Sequence, residues 1–214
     1  MDLKKQLAHV RWIGGSPCSG KSSIAAALAE KHGFYYYECD RHYDEHVQKS
    51  NPVYQPAMKH LSGLTWDELW SRPVEQLIAE ELTVYREQFA MIVEDLLALP
   101  RDTIILVEGA AALPECVHPL LTAENHAIWL VPRREFQMQH YAAREWIHGI
   151  LGQCREPEVA FAHWMGRDAG FANSVAADAE AKGLKVIWVD GSHSLQENTA
   201  AVAAHLGIGP TEQI

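Results

Sequence analysis

The sequence predicts an α/β protein in which a five-stranded parallel sheet is layered between helices, and three observations carry that expectation. Short β-prone or apolar runs alternate with helix-forming segments along the chain, the order that gives a parallel sheet covered on both faces. Two of the runs, residues 103–109 and 127–131, are almost continuously apolar, as strands buried on both sides are. Between the first run and the first helical segment stands Gly15-Ser16-Pro17-Cys18-Ser19-Gly20-Lys21-Ser22, which fits the phosphate-binding pattern of Gly, four residues, Gly-Lys and Ser or Thr.

The elements follow in order. Residues 9–14 are rich in β-formers and read as the first strand. Residues 23–32 are strong helix formers and stop at Gly33. An aromatic run, 34–40, reads as a second strand ending in Asp40. Asn51 to Pro56 breaks regular structure, Thr65-Trp66-Asp67-Glu68 fits a capping box that opens a short helix, and Pro73 makes a second break. From Val74 to Leu97 apolar residues recur at three- and four-residue steps, the mark of a long amphipathic helix that Pro100 ends. Residues 103–109 form the third strand, with Glu108 near its end, and 127–131 the fourth. A helical stretch over 134–150, a loop over 149–157 and a helix over 167–181 lead to a fifth strand over 185–191 and a closing helix over 194–206. In parallel sheets ligands bind at the carboxyl ends of the strands. The loop, Asp40, Glu108 and Gly191 are therefore expected to share one rim.

Each position of the loop has a mechanical reason. Glycines let the backbone turn tightly and bring its N–H groups onto phosphate oxygens. The Lys21 ammonium reaches the β and γ phosphates, Ser22 ligates Mg²⁺, and Ser23 opens the helix whose N-terminus faces the anion. A formal charge of −10 argues against a nucleic-acid partner. With 48% apolar and 21% charged residues the composition is that of a soluble globular domain. No run suggests a membrane span, and four scattered cysteines fit free thiols in the cytoplasm.

Taken together, the loop, Asp40 at the second strand end, Glu108-Gly109 at the third, the arginine-bearing helices around Arg144 and Arg167, and Asp190-Gly191-Ser192 after the last strand resemble the nucleoside monophosphate kinase-like group of P-loop kinases, which includes shikimate and gluconate kinases. The resemblance spans the chain and implies a three-layer P-loop NTPase fold over 1–214. It implies a helical acceptor-binding insertion at about 41–100 and a lid at about 144–167. The activity implied is transfer of the γ-phosphate of Mg-ATP to a small hydroxyl or phosphate acceptor, by a monomer or homodimer. Gly15 through Ser23 would bind the nucleotide, Ser22 and Glu108 the metal. Lys21, Asp40, Glu108 and Arg144 would carry catalysis, Asp40 orienting or deprotonating the acceptor and Glu108 holding a Mg²⁺-bound water or acting as base itself.

Other residues are weighed beside these. Arg144 and Arg155 are the lid candidates, ahead of Arg133, Arg134 and Arg167. Arg41, Arg72 and Arg86 are available to an anionic acceptor, and Trp66, Trp70 and Trp164 to its cleft. Asp44, one helical turn beyond Asp40, would share its face. His42-Tyr43-Asp44-Glu45-His46 also spells an inverted zinc-protease string. A metal-dependent hydrolase and a regulatory ATPase without an acceptor are accordingly the rival readings.

Overall fold

The computed structural model describes residues 2–209, and the statements below concern those residues. A short helix α1 (Leu3–Gln6) leads into β1 (Val10–Gly15), α2 (Lys21–His32) and β2 (Tyr35–Glu38). Helices α3 (Cys39–Lys49), α4 (Pro56–Leu61), α5 (Trp66–Trp70) and α6 (Val74–Ala98) come before β3 (Ile105–Glu108). The short α7 (Pro114–Val117) precedes β4 (Ala127–Pro132). Helices α8 (Arg134–Ala142), α9 (Glu145–Leu151) and α10 (Pro157–Ala181) separate β4 from β5 (Lys185–Val189), and α11 (Leu195–His205) follows.

The five strands are parallel in the order β2-β3-β1-β4-β5, so β1 lies at the centre, the connection from β1 to β2 passing over β3 and that from β3 to β4 passing over β1. Successive side chains of a strand point to opposite faces, and the core divides accordingly. Trp12, Ile105, Val107 and Trp129 pack with Phe89 and Ile92 of α6 and Phe171 and Val175 of α10. Ile13, Leu106, Ile128 and Leu130 pack on the other face with Ile24 and Leu28 of α2 and Val202 of α11. Strands β3 and β4 are buried along their whole length, whereas β5, at the edge, is only partly covered. This is the three-layer arrangement that the apolar runs imply.

Three elements depart from the sequence expectation. Strand β2 ends at Glu38, and the chain turns at once into α3, so Asp40 sits in a first helical turn rather than on a strand end. The turn is set by Cys39, which is wholly buried against Gly109; a Cβ on that glycine would come within 2.5 Å of the Cys39 Cβ. The helix expected over 134–150 is two, broken at Ala143 and Arg144. Helix α10 begins at Pro157 instead of near 167, Pro being well suited to a first helical turn.

Helix α10 has a double task. Ala172, Val175, Ala176 and Ala179 pack toward the sheet, while its first half crosses α6 closely. A Cβ at Gly170 would lie 2.2 Å from Ile78 Cδ1, and one at Gly166 would lie 3.0 Å from Val74 Cγ2. Only glycine permits that spacing.

Helix α3 is clamped to α6 by polar groups rather than by apolar bulk. The Tyr37 hydroxyl donates to Asp95 Oδ2 at 2.6 Å, and His46 Nε2 lies 2.9 Å from the same oxygen. Gln88 Nε2 donates to the Cys39 carbonyl at 3.2 Å. Burial works against the Asp95 carboxylate, but the bonds from Tyr37 and His46 outweigh it and hold its pKa below the ordinary value. Asp95→Asn is expected to destabilise the protein by about 1–3 kcal/mol near neutrality, read as a lower urea midpoint. A lowered carboxylate pKa contributes stability above the unfolded value of about 3.9 and loses it as pH falls through the folded one. The gap between wild type and variant should therefore close in acid; a gap that widens there contradicts the assignment.

Candidate active site at the strand-end rim

The loop leaves β1 between its two neighbours, β3 and β4. Gly15 has φ 127°, and a Cβ there would lie 1.9 Å from the Leu130 carbonyl oxygen, so β4 leaves room for nothing larger. Ser16 N donates to that same carbonyl at 3.1 Å. Cys18, at φ 67°, is the one non-glycine residue among those described with a left-handed backbone, a strained state that concentrates at functional turns. Gly20, at φ 81°, is the N-cap of α2 and supplies no side-chain cap. The first N–H groups of that helix thus face the loop without intrahelical partners, which is the arrangement that takes an anion.

Two charged side chains meet under this loop. Lys21 is buried, its ammonium donating to the Ser16 carbonyl at 3.1 Å and lying 3.6 Å from Glu108 Oε1. Glu108 is placed by the register of β3, whose last residue pairs with Ile13 of β1 and Glu38 of β2. The Tyr36 hydroxyl bridges, 3.4 Å from both Glu108 Oε2 and the Ser22 carbonyl. Burial pushes the Glu108 pKa up, Lys21 pulls it back, and the nearby Asp40 raises it again, with Ser22 on the side of the charged form. Glu108 Oε1 makes no hydrogen bond although it is buried. With only the Lys21 ammonium at 3.6 Å to meet it, this oxygen stands beside a serine hydroxyl, and a carboxylate with a hydroxyl is a donor set of the kind Mg²⁺ takes, so the residues fit that ion.

The loop is also braced by α8 and α10. Gln137 of α8 donates to Ser16 Oγ at 3.3 Å and to the Pro17 carbonyl at 3.0 Å, and Ser16 Oγ reaches the Asp168 carbonyl at 3.5 Å. A cleft of about 330 Å³ opens beside Cys18, Ser19 and Gly20, walled by Phe136, Arg144 and His193. A larger cleft, about 920 Å³, runs between α2 and α11. Its lining is mostly apolar, with Ala27, Leu28, Ala200 and Ala203, and offers no convergent charge. We therefore assign the chemistry to the smaller one.

Arg144 is the N-cap of α9, its guanidinium over the rings of Tyr141 and Trp146 and close enough to Cys18 to act on its thiol. Burial nevertheless leaves the Cys18 pKa raised, so the thiol is no activated nucleophile. Arg155 departs from the lid expectation. It is exposed and turned away from the loop, paired with Asp67 at 3.0 Å, because the break at 152–156 lies over α5. Arg133 lies over the Trp188 ring at 4.1 Å. Arg41, Arg72 and Arg86 pair with Glu38, Glu80 and Glu115. The histidine string does fall on a helix, but among the described residues no group of three or more His, Cys, Asp or Glu side chains comes together there to hold a metal. His42 stacks on Tyr37 at 4.4 Å, and His46 is held by Asp95.

Sequence reading ranks Arg167 low and passes over Glu81, Tyr85, Tyr141 and Asp168, yet these form the most densely charged part of the rim. Arg167 pairs with Glu81 and, at 2.6 Å, with Asp168. Burial and the carboxylates of Glu81 and Asp40 raise the Tyr85 phenol, and burial with Asp168 raises that of Tyr141. These couplings link Asp40 through α6 and α10 to the loop. The readable signal is that Glu81 and Asp168 interrupt apolar stripes of their helices, between Ile78 and Tyr85 and between Trp164 and Phe171. Trp70 and Trp164 stack at 4.3 Å beside this group; Trp66 stays 40% exposed.

No protein-family model matches the sequence, and no curated protein does. Solved structures share its fold. A Thermus thermophilus protein, TT1252, is 17% identical over 92% of this chain and 97% of its own, with a TM-score of 0.51. A gluconokinase from Sinorhizobium meliloti 1021 is 17% identical, covering 94% of this chain and 92% of its own, with a TM-score of 0.46. Shikimate kinase from Acinetobacter baumannii is 12% identical, covering 98% and 99%, with a TM-score of 0.46. At such identities the likeness is one of fold alone, and the one to TT1252 carries it: an α/β parallel sheet.

The two lid candidates give a direct comparison. Arg144→Ala should weaken binding of a fluorescent ATP analogue about tenfold or more, the loss of one charge-assisted contact at about 1.5–3 kcal/mol. Arg155→Ala, removing only an exposed pair, should leave that affinity within about a factor of five. Equal effects would remove Arg144 from the site.

Proposed function

We propose that the protein is an ATP-dependent small-molecule kinase. The observation that carries this reading is the meeting of the phosphate loop with buried Lys21 and Glu108 under a helix N-terminus, Asp40 standing near enough to Glu108 to act on its carboxyl. The loop from Gly15 to Ser23 binds the triphosphate through its N–H groups, and Lys21 exchanges the Ser16 carbonyl for β- and γ-phosphate oxygens. Ser22 and Glu108 would hold Mg²⁺, which when bound neutralises charge on the phosphates. Asp40 is solvent-accessible in the first turn of α3; it orients the acceptor hydroxyl or takes its proton. Arg144, stacked on two aromatic rings, meets the transferring phosphoryl group from the lid side.

In this reading residues 41–100 make the acceptor half and the stretch from Arg144 to Arg167 the lid. The aromatic and charged side chains around Trp70, Glu81 and Asp168 support that division, since they lie on the far side of the loop from α11. The cytoplasm is the compartment that suits four free cysteines, and among the described residues no helix is long and apolar enough to cross a membrane.

Lys21→Ala is expected to abolish ADP formation, by at least about a hundredfold, and to weaken Mg-ATP binding. Retention of full turnover refutes the kinase reading. Asp40→Asn should lower kcat by about 10²–10⁴-fold, the range of general-base catalysis, with ATP affinity nearly unchanged. Parallel loss of both identifies Asp40 as structural.

A further inference from the structure

The wall where α5 packs against α10 contains an unusual set of unmet hydrogen-bonding groups. Of the ten buried side-chain polar atoms without a partner among the described residues, six belong to five residues of α5, α10 and the turn after α5. They are Trp70 Nε1, Trp164 Nε1, Arg72 Nε and Nη2, Arg167 Nε and Asp168 Oδ2. Five are N–H donors and one is a carboxylate oxygen. Buried groups of this kind are normally satisfied, and a cluster of them marks where water or a ligand belongs. The group is compact: Trp70 and Trp164 stack at 4.3 Å, and the Arg167 guanidinium lies 4.9 Å from the Trp70 ring. Asp168 is only 1% exposed.

Charge decides what kind of ligand. The donors look suited to an anion, but their positive charge is already taken. Arg72 is held by both oxygens of Glu80, at 2.7 and 2.6 Å. Arg167 is held by Glu81 and Asp168 together. Asp40 adds a further carboxylate near Tyr85 on the same side. The remaining arginines of the acceptor segment, Arg41 and Arg86, are paired with Glu38 and Glu115. A carboxylate or phosphate placed among Glu81, Asp168 and Asp40 would meet more negative than positive charge in a water-poor site, where repulsion is strong.

We propose that the acceptor is an uncharged, polyhydroxylated compound, and that Trp70, Trp164, Arg167 and Asp168 select it against carboxylates and phosphates. Its oxygens accept from the indole and guanidinium N–H groups, one hydroxyl donates to Asp168 Oδ2, and its apolar face lies on the paired indoles. Tyr141 and Trp146 each lie 5.7 Å from the Trp164 ring, so the helix carrying Trp146 covers the pair and moves aside at the break between α8 and α9 to admit it. The inference rests on the kinase reading for the word acceptor, but not for the binding itself.

Matched compounds test it: glucose against gluconate, quinic acid methyl ester against quinate, and adenosine against AMP. Two readouts are taken, ADP release in Mg-ATP and direct binding followed by intrinsic tryptophan fluorescence with the non-hydrolysable ATP analogue present. The neutral member of at least one pair should bind and give kcat/KM at least tenfold above its acid. Asp168→Asn, which returns charge to Arg167, should raise the acid-to-neutral ratio, and Glu81→Gln should do the same should the first variant fold poorly. Neutral binding without ADP release overturns the kinase reading and leaves the selectivity standing. Preference for the acids with ADP release overturns the selectivity and leaves the kinase standing. Binding of neither member of any pair overturns the selectivity as well.

Discussion

The buried contact between Lys21 and Glu108, 3.6 Å apart, is the constraint on which the rest of the site depends. Neither charge is easily kept out of water alone. Each is supplied by a different strand connection: Lys21 by the turn after β1, Glu108 by the last residue of β3. Their meeting requires that β1 and β3 be neighbours in a fixed register, with Ile13 opposite Glu108. That register is in turn held by two-sided burial, since a slip of one residue would exchange Trp12 and Ile13 between two differently shaped cores. Packing of the sheet and placement of charge at its edge are one problem with one solution.

Around that contact the rim has two unlike sides. Toward α11 it is open, with a cleft beside Cys18, Ser19 and Gly20 and a single guanidinium, Arg144, resting on aromatic rings. Toward α6 and α10 it is closed and crowded with charge, Arg167 buried between Glu81 and Asp168. The first side suits a flexible, highly anionic ligand that brings its own counter-ions. The second suits a ligand read by shape and hydrogen bonds. In the kinase reading proposed above, such an asymmetry would keep donor and acceptor from exchanging places.

The five strands, the phosphate loop and the position of Glu108 were legible because each rests on local pattern: apolar runs for buried strands, glycine spacing for the turn; the order of the strands in the sheet, which rests on long-range pairing, was not. The capping box at Thr65 was equally local and forms as a bonded pair; Ser194, read only as the start of the closing helix, makes a second one with Glu197. What was not legible depends on which face of a helix a residue occupies. Arg155 and Arg167 look alike in sequence, yet one sits on an exposed turn and the other in the centre of the charged wall. Starting α10 near 167 instead of 157 hid the i, i+3, i+4 relation of Trp164, Arg167 and Asp168. Asp40 was found for the right neighbourhood and the wrong element, since the aromatic run gave no sign of where strand became helix.

The close crossing of α6 and α10 at Gly166 and Gly170 bears on how this wall is kept in tune. Glu81 reaches Arg167 only because the two helices approach to a distance that a single methyl group would forbid. The lower half of α10 is meanwhile fixed by small side chains against the sheet, and each residue turns a helix by about 100°. Helix spacing and helix rotation are thus set by glycines and alanines that touch no ligand. Substrate preference in relatives of this fold can drift through such silent positions, by sliding or rolling one helix on another, while the charged residues themselves stay the same.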